Sequence, residues 1–117
     1  MKISIADTIG LHCIDPADGD VIYDLLVREL NFRRIELDFT GVKTITGSFL
    51  NSCIGRLYGK FEAEFIDIRL SIAGMDKTDQ DLLLLVKKTA IRYFGMDEAS
   101  RRALQSAERE LLESLRS

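Results

Sequence analysis

The chain has 117 residues, of which 46% are hydrophobic and 30% charged, and its formal net charge is −3 at pH 7. A chain of this length buries enough apolar surface for one folded domain, and its apolar content excludes an intrinsically disordered protein. Because 16 Lys and Arg stand against 19 Asp and Glu, there is no basic excess to neutralise phosphates, and we expect no nucleic-acid partner.

Two sequence features bear on where the protein works. The longest apolar run, residues 82–86, is far shorter than the ~20 residues that span a bilayer, so we expect no membrane contact. A secretory signal consists of a basic stretch followed by a long apolar one, and the first residues of this chain do not show that pattern. We therefore expect a cytoplasmic protein, in which Cys13 and Cys53 stay reduced and pack as small core residues.

The N-terminal third is predicted to form a hairpin followed by a helix. Isoleucines alternate with polar residues over 2–5, and an apolar stretch over residues 9–14 follows a short break, which predicts two strands. Asp15 and Pro16 are typical of a helix start, because the carboxylate caps free N–H groups and proline has the backbone angle of a first turn. Apolar residues then recur at helical spacing to Leu30.

The middle of the chain is predicted to alternate strands and helices. Residues 35–39 alternate apolar and polar side chains, as in a strand. The apolar positions of residues 50–61 fall at steps of three and four, which predicts one long amphipathic helix. Residues 66–72 alternate again and predict a strand, and a further helix is predicted from Asp76 to Gly95. Strands that alternate with helices indicate the α/β class, a sheet covered by helices.

The last segment, residues 95–117, is predicted to be an additional amphipathic helix because its apolar residues form a stripe at helical spacing. We therefore divide the chain into a domain over residues 1–94 and a C-terminal helical extension over 95–117. The stripe must be buried somewhere. It either packs back on the rest of the chain or forms a homodimer contact, and the sequence leaves both open.

Residues 40–51 join a predicted strand to the start of the long predicted helix. A helix N-terminus has unpaired N–H groups and a partial positive charge, so it favours an anion or a phosphorylated hydroxyl. Thr46, Gly47 and Ser48 are therefore a candidate phospho-acceptor or anion site. In the simpler interpretation, Thr46 only caps the helix. The segment lacks the Gly-Lys-Ser/Thr ending of a phosphate-binding P-loop.

Three short motifs carry a resemblance to a known family. They are Leu-Asp-Phe-Thr-Gly-Val at residues 37–42, Ile-Thr-Gly-Ser-Phe-Leu at 45–50 and Gly-Arg-Leu-Tyr at 55–58. Together they resemble the STAS domains of anti-sigma-factor antagonists and, more closely, the bacterial STAS-like family of uncharacterised function. The resemblance implies a STAS-like mixed β-sheet covered by helices and a role in protein–protein binding.

The resemblance also implies a class of partner. In the antagonists, this loop carries a serine that is phosphorylated by a kinase of the Hsp90-like ATPase type. Here Thr46 stands at the usual aspartate and Gly47 at the usual acceptor serine, which leaves Ser48 as the second serine. By this likeness the partner is an Hsp90-like ATPase/kinase or an anti-sigma-type regulator.

We therefore expect a non-enzymatic regulatory module that binds a protein partner through residues 46–57 and is switched by phosphorylation or nucleotide binding. The candidate partner contacts are Lys43, Phe49, Asn51, Ser52 and Arg56. The alternative is a small protein that binds an anion or nucleotide at the helix start, Gly47 and Ser48. No cofactor is expected.

Two weaker clusters are interpreted as structural. His12, the only histidine, could pair with Cys13 or reach Ser48, but a lone histidine in a strand is more often a packed or exposed structural residue. Four acids crowd the start of the first helix and lack the spacing of an EF-hand, so we interpret them as caps and solvated side chains and expect no metal site. These acids are Asp15, Asp18, Asp20 and Asp24.

Overall fold

The computed structural model describes residues 1–95 of the chain. In chain order its elements are β1 (Lys2–Ser4), α1 (Ile5–Thr8), β2 (His12–Cys13), α2 (Pro16–Glu29), β3 (Ile35–Asp38), β4 (Thr44–Ile45), α3 (Gly47–Cys53), a 3-10 helix (Gly55–Gly59), α4 (Ala63–Arg69), β5 (Leu70–Ala73) and α5 (Lys77–Gly95). Strands alternate with helices, which confirms the predicted α/β class. The predicted C-terminal helix lies outside the described residues, apart from its first position.

The fold is built on a three-stranded parallel sheet in the order β1-β3-β5. Its register pairs Ser4 with Asp38 and Asp38 with Ala73, so these residues mark the carboxyl edge of the sheet. In β3, Ile35 and Leu37 are buried and alternate with half-buried residues, as predicted. A second sheet pairs β2 with β4, also in parallel. All strand pairs among the described residues are therefore parallel, whereas the resemblance implied a mixed sheet.

The predicted N-terminal hairpin is wrong. Ser4 ends β1 and caps the single turn α1, because its Oγ accepts a hydrogen bond from the backbone N–H of Asp7 at 3.2 Å. Ile5 is fully buried in that turn and not on a strand. The strand that follows pairs with β4 and not with β1. The alternation of residues 2–5 indicated a strand that pairs with its neighbour in a hairpin. Instead, the side-chain cap of Ser4 ends the strand and begins a helical turn.

The prediction of a single long helix over residues 50–61 is also wrong, because this stretch is divided between α3 and the 3-10 helix. α3 ends at Cys53, Ile54 departs from helical geometry with a φ of −115°, and the chain continues as the 3-10 helix. The burial pattern is nevertheless the predicted one. Five of the six apolar positions are buried, namely Leu50, Cys53, Ile54, Leu57 and Tyr58.

The strand predicted over residues 66–72 begins only at Leu70, because the residues before it form α4. Ile66 is buried but Ile68 is 65% exposed, so their alternation does not reflect the two faces of a sheet. Arg69, the last residue of α4, donates a hydrogen bond from Nη1 to the backbone oxygen of Leu30 at 3.0 Å. A tertiary contact of this kind has no signal in the local sequence.

The helices predicted at Asp15 to Leu30 and at Asp76 to Gly95 are confirmed as α2 and α5. α2 begins as expected, since Oδ1 of Asp15 accepts a hydrogen bond from the backbone N–H of Ala17 at 2.9 Å. Within residues 1–95, no helix is both long and apolar enough to cross a bilayer. The largest fully buried side chains belong to Phe39, Phe49, Ile5, Ile22, Leu26, Leu30, Ile35, Leu37, Leu50, Ile54, Leu57 and Ile66.

Candidate functional site

Thr46 fixes the start of α3 because its hydroxyl acts as both a hydrogen-bond acceptor and a hydrogen-bond donor. Its Oγ1 accepts a hydrogen bond from the backbone N–H of Phe49 at 3.2 Å and donates one to the backbone oxygen of Ile14 at 3.0 Å. The backbone N–H of Thr46 donates a hydrogen bond to the backbone oxygen of Cys13 at 3.1 Å. The predicted capping role is confirmed. Phosphorylation of this hydroxyl would require these contacts to break.

The other two residues of the candidate anion site differ in accessibility. Gly47 is half-buried and Ser48 is exposed. α3 has only 7 residues, so few peptide dipoles add up at its N-terminus, and Thr46 already occupies one of the free N–H groups. The exposed hydroxyl of Ser48 is thus the accessible group at this helix start.

The five candidate partner contacts divide into exposed and buried residues. Lys43, Asn51 and Arg56 are exposed. Phe49 is fully buried in the core, and Ser52 is only 6% exposed, with its hydroxyl hydrogen-bonded. The structure therefore corrects the interpretation of Phe49 and Ser52, because both support this surface from beneath and neither projects from it.

Ser52 joins α3 to α2 at a place where the two helices lie very close together. Its Oγ donates a hydrogen bond to the backbone oxygen of Pro16 at 2.7 Å and also contacts Oδ1 of Asp20. The close approach depends on Gly19, where a Cβ atom would lie 2.8 Å from the backbone oxygen of Phe49 and 2.8 Å from Cβ of Ser52. α2 and α3 thus form one packed unit beneath the exposed residues.

Arg56 is held above this unit by two contacts. Its Nη1 lies 2.6 Å from Oδ1 of Asp20, and the guanidinium carbon lies 3.9 Å from the centroid of the Tyr23 ring. The side chain is still 45% exposed. Because a guanidinium has five N–H donors, Arg56 retains donors for a further carboxylate or carbonyl.

Asn51 and Arg56 border a shallow groove of about 270 Å³ beside α5, which we call the α3–α5 groove. Its far wall comes from one face of α5. The groove is lined by Asn51, Arg56, Thr89, Ala90, Tyr93 and Phe94. It combines a cation, an amide, a hydroxyl and aromatic rings, a mixture that suits the side chains of a protein partner.

Sequence reasoning missed four residues of this site. Asp20, which the sequence indicates only as a cap or solvated acid, contacts both Ser52 and Arg56. Tyr23, which stacks on Arg56, was not singled out. Thr89 and Tyr93 are four residues apart and so share a helix face, which is the signal that could have paired them. No signal in the sequence indicated that this face meets Asn51.

The remaining candidates have structural roles. His12 lies with Nδ1 2.9 Å from Oγ1 of Thr44 and so links β2 to β4. Cys13 and Cys53 are fully buried, and this burial raises the pKa of both thiols, which disfavours the reactive thiolate. Among residues 1–95, no three His, Cys, Asp or Glu side chains are grouped as metal ligands.

Comparison with family models matches residues 18–80 to the family described as "STAS-like domain of unknown function (DUF4325)". The match runs from α2 to the start of α5 and covers more than half of the chain. Neither the curated proteins nor the solved structures gave a match. The chain therefore belongs to the family of STAS-like domains of unknown function.

Proposed function

We propose that this chain is a non-enzymatic regulatory module that binds a protein partner through Ser48, Asn51, Arg56 and the α3–α5 groove. The observation that carries the proposal is the position of Arg56. It lies at the edge of a groove with mixed polar and aromatic lining, it is fixed by Asp20 and Tyr23, and it is still half exposed. Arginine and aromatic side chains in fixed positions are typical of the residues that dominate binding energies.

Ser48 adds a point of regulation to this surface. Ser48 and Asn51 are three residues apart on α3, so both project from the same side of the helix. Phosphorylation would add a charge of roughly −1.5 to −2 at this exposed hydroxyl, and would either attract a basic partner or repel an acidic one. The partner class that the family likeness suggests is an Hsp90-like ATPase/kinase or an anti-sigma-type regulator.

The alternative, an anion or nucleotide site at Gly47 and Ser48, receives less support from the geometry. α3 is only two turns long, and its capping residue already uses one N–H group. The exposed groove, by contrast, offers side chains of several chemical types. Protein binding is therefore the function that the site supports best.

Affinity capture from a lysate of the native host tests the proposal. The full chain is compared with Arg56→Glu and with the matched control Arg34→Glu, which reverses an exposed charge next to β3. We expect the control to retain the captured partner and Arg56→Glu to lose it, with circular dichroism showing that both variants are folded. Capture of the same proteins by both variants would refute the proposed surface.

A further inference from the structure

β5 is an edge strand of the three-stranded sheet, and within residues 1–95 it pairs with β3 alone. The backbone N–H of Phe39 donates a hydrogen bond to the backbone oxygen of Ala73 at 2.8 Å, so the backbone groups of Ala73 face β3. Successive residues of a strand direct their backbone groups to opposite sides, so the N–H and C=O of Ile72 face away from the sheet. Within residues 1–95 these two groups have no hydrogen-bond partner.

The opposite edge of the sheet, β1, is protected in two ways that β5 is not. The backbone oxygen of Ser4 accepts a hydrogen bond from Oγ1 of Thr8 at 2.8 Å, so α1 occupies the end of this edge. Lys2 adds a charge, which disfavours the approach of another strand. β5 has the sequence Leu-Ser-Ile-Ala, without a charge or a proline. An edge of this kind is a template for an added strand.

A cavity of about 450 Å³ lies beside β5, and we call it the β5–α5 cavity. Ile72 contributes to its lining from the strand, and Leu83, Leu84 and Lys87 contribute from α5. No residue of β3 lines it, so it lies on the outer side of β5. In a strand added at this edge, every second side chain would point to the helix-covered face of the sheet. Those side chains would enter the cavity.

The charges of the β5–α5 cavity favour a carboxylate. Two lysines and one acid line it, namely Lys77, Lys87 and Asp81. Nζ of Lys77 lies 2.6 Å from Oδ1 of Asp81, so these two charges offset each other. Lys87 is half-buried and has no ion-pair partner within residues 1–95. A cation that is partly removed from water and unpaired is stabilised by a carboxylate that forms a hydrogen bond with it.

The same charges favour a segment of another protein over a second copy of this chain. In a homodimer, two β5 strands would pair about a two-fold axis, and each copy would bring an unpaired Lys87 to the same face of the joined sheet. Like charges placed together at an interface repel. β5 also has only 4 residues, against roughly 20–30 residues per partner in a stable interface of standard size.

We propose that β5 binds an extended segment of a partner protein as a fourth strand, and that an Asp or Glu side chain of this segment binds Lys87 in the β5–α5 cavity. Main-chain hydrogen bonds to Ile72 hold the segment, and the cavity selects its side chains. The surface shares no residue with the lining of the α3–α5 groove, so it stands independently of the proposed function.

A synthetic peptide tests the added strand on the isotope-labelled full chain. The probe is Thr-Val-Thr-Glu-Thr-Val-Thr with blocked ends, because Val and Thr favour a strand and the valines and the glutamate share one face. At about 5 mM peptide we expect hydrogen exchange of the Ile72 amide to slow at least about tenfold, since the amide enters a hydrogen bond with the added strand. Unchanged exchange at Ile72 would overturn the proposal.

A second peptide and two charge-reversal variants test the contact with Lys87. Thr-Val-Thr-Lys-Thr-Val-Thr should bind the wild-type chain at least about tenfold more weakly than the glutamate peptide, and Lys87→Glu should reverse this preference. The matched control is Lys88→Glu, at an exposed lysine that does not line the cavity, and it should leave the preference unchanged. Circular dichroism shows whether both variants are folded. Equal binding of the glutamate peptide to the wild type and to Lys87→Glu would overturn the proposal.

The chain without peptide distinguishes an open edge from one that is already occupied. Here we expect a monomer in sedimentation velocity and fast exchange of the Ile72 amide. Slow exchange in a monomer would show that another part of the chain pairs with β5, and slow exchange in a dimer would show that a second copy does. Either result would overturn the proposal.

Discussion

Arg56 and Asp20 form an ion pair that joins the 3-10 helix to α2, with Nη1 of Arg56 2.6 Å from Oδ1 of Asp20. Both side chains are about half exposed, at 45% and 53%. The pair therefore lies where water screens the attraction, and its main effect is to fix the direction of the arginine beside the α3–α5 groove.

A double-mutant cycle with Asp20→Ala and Arg56→Ala measures the strength of this pair. We expect a coupling energy of about 0.2–1 kcal/mol in urea denaturation, as is typical of exposed ion pairs. The exposed pair Lys77 and Asp81, also 2.6 Å apart, is the matched control. Arg56→Ala alone should lower the free energy of unfolding more than Lys77→Ala does, because stacking of the guanidinium on Tyr23 contributes about 0.5–1 kcal/mol. Equal losses would contradict the stacking contribution.

Gly19 and Gly47 should respond in opposite ways to alanine. A Cβ at Gly19 would lie 2.8 Å from both the backbone oxygen of Phe49 and Cβ of Ser52, so Gly19→Ala should lower the free energy of unfolding by about 1–3 kcal/mol. At Gly47 the nearest atom is a methyl of Leu82 at 3.8 Å, and Gly47→Ala should be neutral or stabilising by up to about 1 kcal/mol. Equal urea midpoints for the two variants would refute the close helix contact.

The sequence predicted the parts of this fold that depend on local chemistry. The start of α2 at Asp15 and the cap at Thr46 depend on side chains that bond to their own neighbouring backbone, so both could be predicted. The pairing of β2 with β4 could not, because it joins residues more than 30 positions apart and each strand has only two residues. Short strands carry too little alternation to reveal a partner.

The sequence predicted where α3 begins but not which of the candidate side chains are exposed beside it. Polar groups do meet a helix start at the loop before α3, as predicted, and the exposed candidates follow it, with Ser48 and Asn51 on α3 and Arg56 on the 3-10 helix. Periodicity could not separate Phe49 and Ser52 from them, since α3 packs on α2 and α5 and thus buries more than one face. The wall supplied by α5 depends on tertiary packing alone.

The pKa of the Asp38 carboxyl group should lie below its ordinary value because Thr40 binds the carboxylate. Oδ1 of Asp38 accepts hydrogen bonds from Oγ1 of Thr40 at 2.6 Å and from the backbone N–H of Thr40 at 3.0 Å. These bonds, with a smaller effect of Lys2, hold the pKa of Asp38 below its ordinary value of 3.8. Because the folded pKa is the lower one, this contribution to stability is present above about pH 4 and is lost as the pH falls through the folded pKa.

Thr40→Ala should therefore raise the pKa of Asp38 toward 3.8, and Lys2→Met should raise it less. The measurement is an NMR titration of the Asp38 carboxyl group in the three proteins. A pKa that is identical in the wild type and in Thr40→Ala would show that the threonine hydroxyl does not hold the carboxylate.

The hydroxyl of Tyr58 is buried and has no hydrogen-bond partner among residues 1–95. Burying this hydroxyl costs desolvation energy that no hydrogen bond offsets, so Tyr58→Phe should be neutral or stabilising by up to about 1 kcal/mol. Burial, with a smaller effect of Asp67, raises the pKa of Tyr58 to about 12. A large loss of stability in urea denaturation of Tyr58→Phe would show that the hydroxyl does have a partner.

The same residue predicts an alkaline loss of stability. The folded pKa of Tyr58 is above its ordinary value of 10, so below pH 10 the hydroxyl is protonated in both states and has no effect on the pH dependence. As the pH rises from 10 to about 12 the unfolded chain ionises first, and the free energy of unfolding falls. Urea denaturation across this range should show a shallower decline in Tyr58→Phe than in the wild type. Parallel declines would mean that other groups, and not Tyr58, are responsible.

Ser48→Asp should mimic a phosphorylated surface without unfolding the helix beneath it. Ser48 is exposed in the first turn of α3, where a negative charge interacts favourably with the helix dipole. Since α3 is short, we expect a gain of no more than about 0.5 kcal/mol, and a loss of similar size in the control Ser48→Lys. Urea denaturation measures both variants. If Ser48→Asp instead loses more than about 1 kcal/mol, the charge is not tolerated at this position, which contradicts the expectation that phosphorylation of Ser48 changes the surface without destabilising α3.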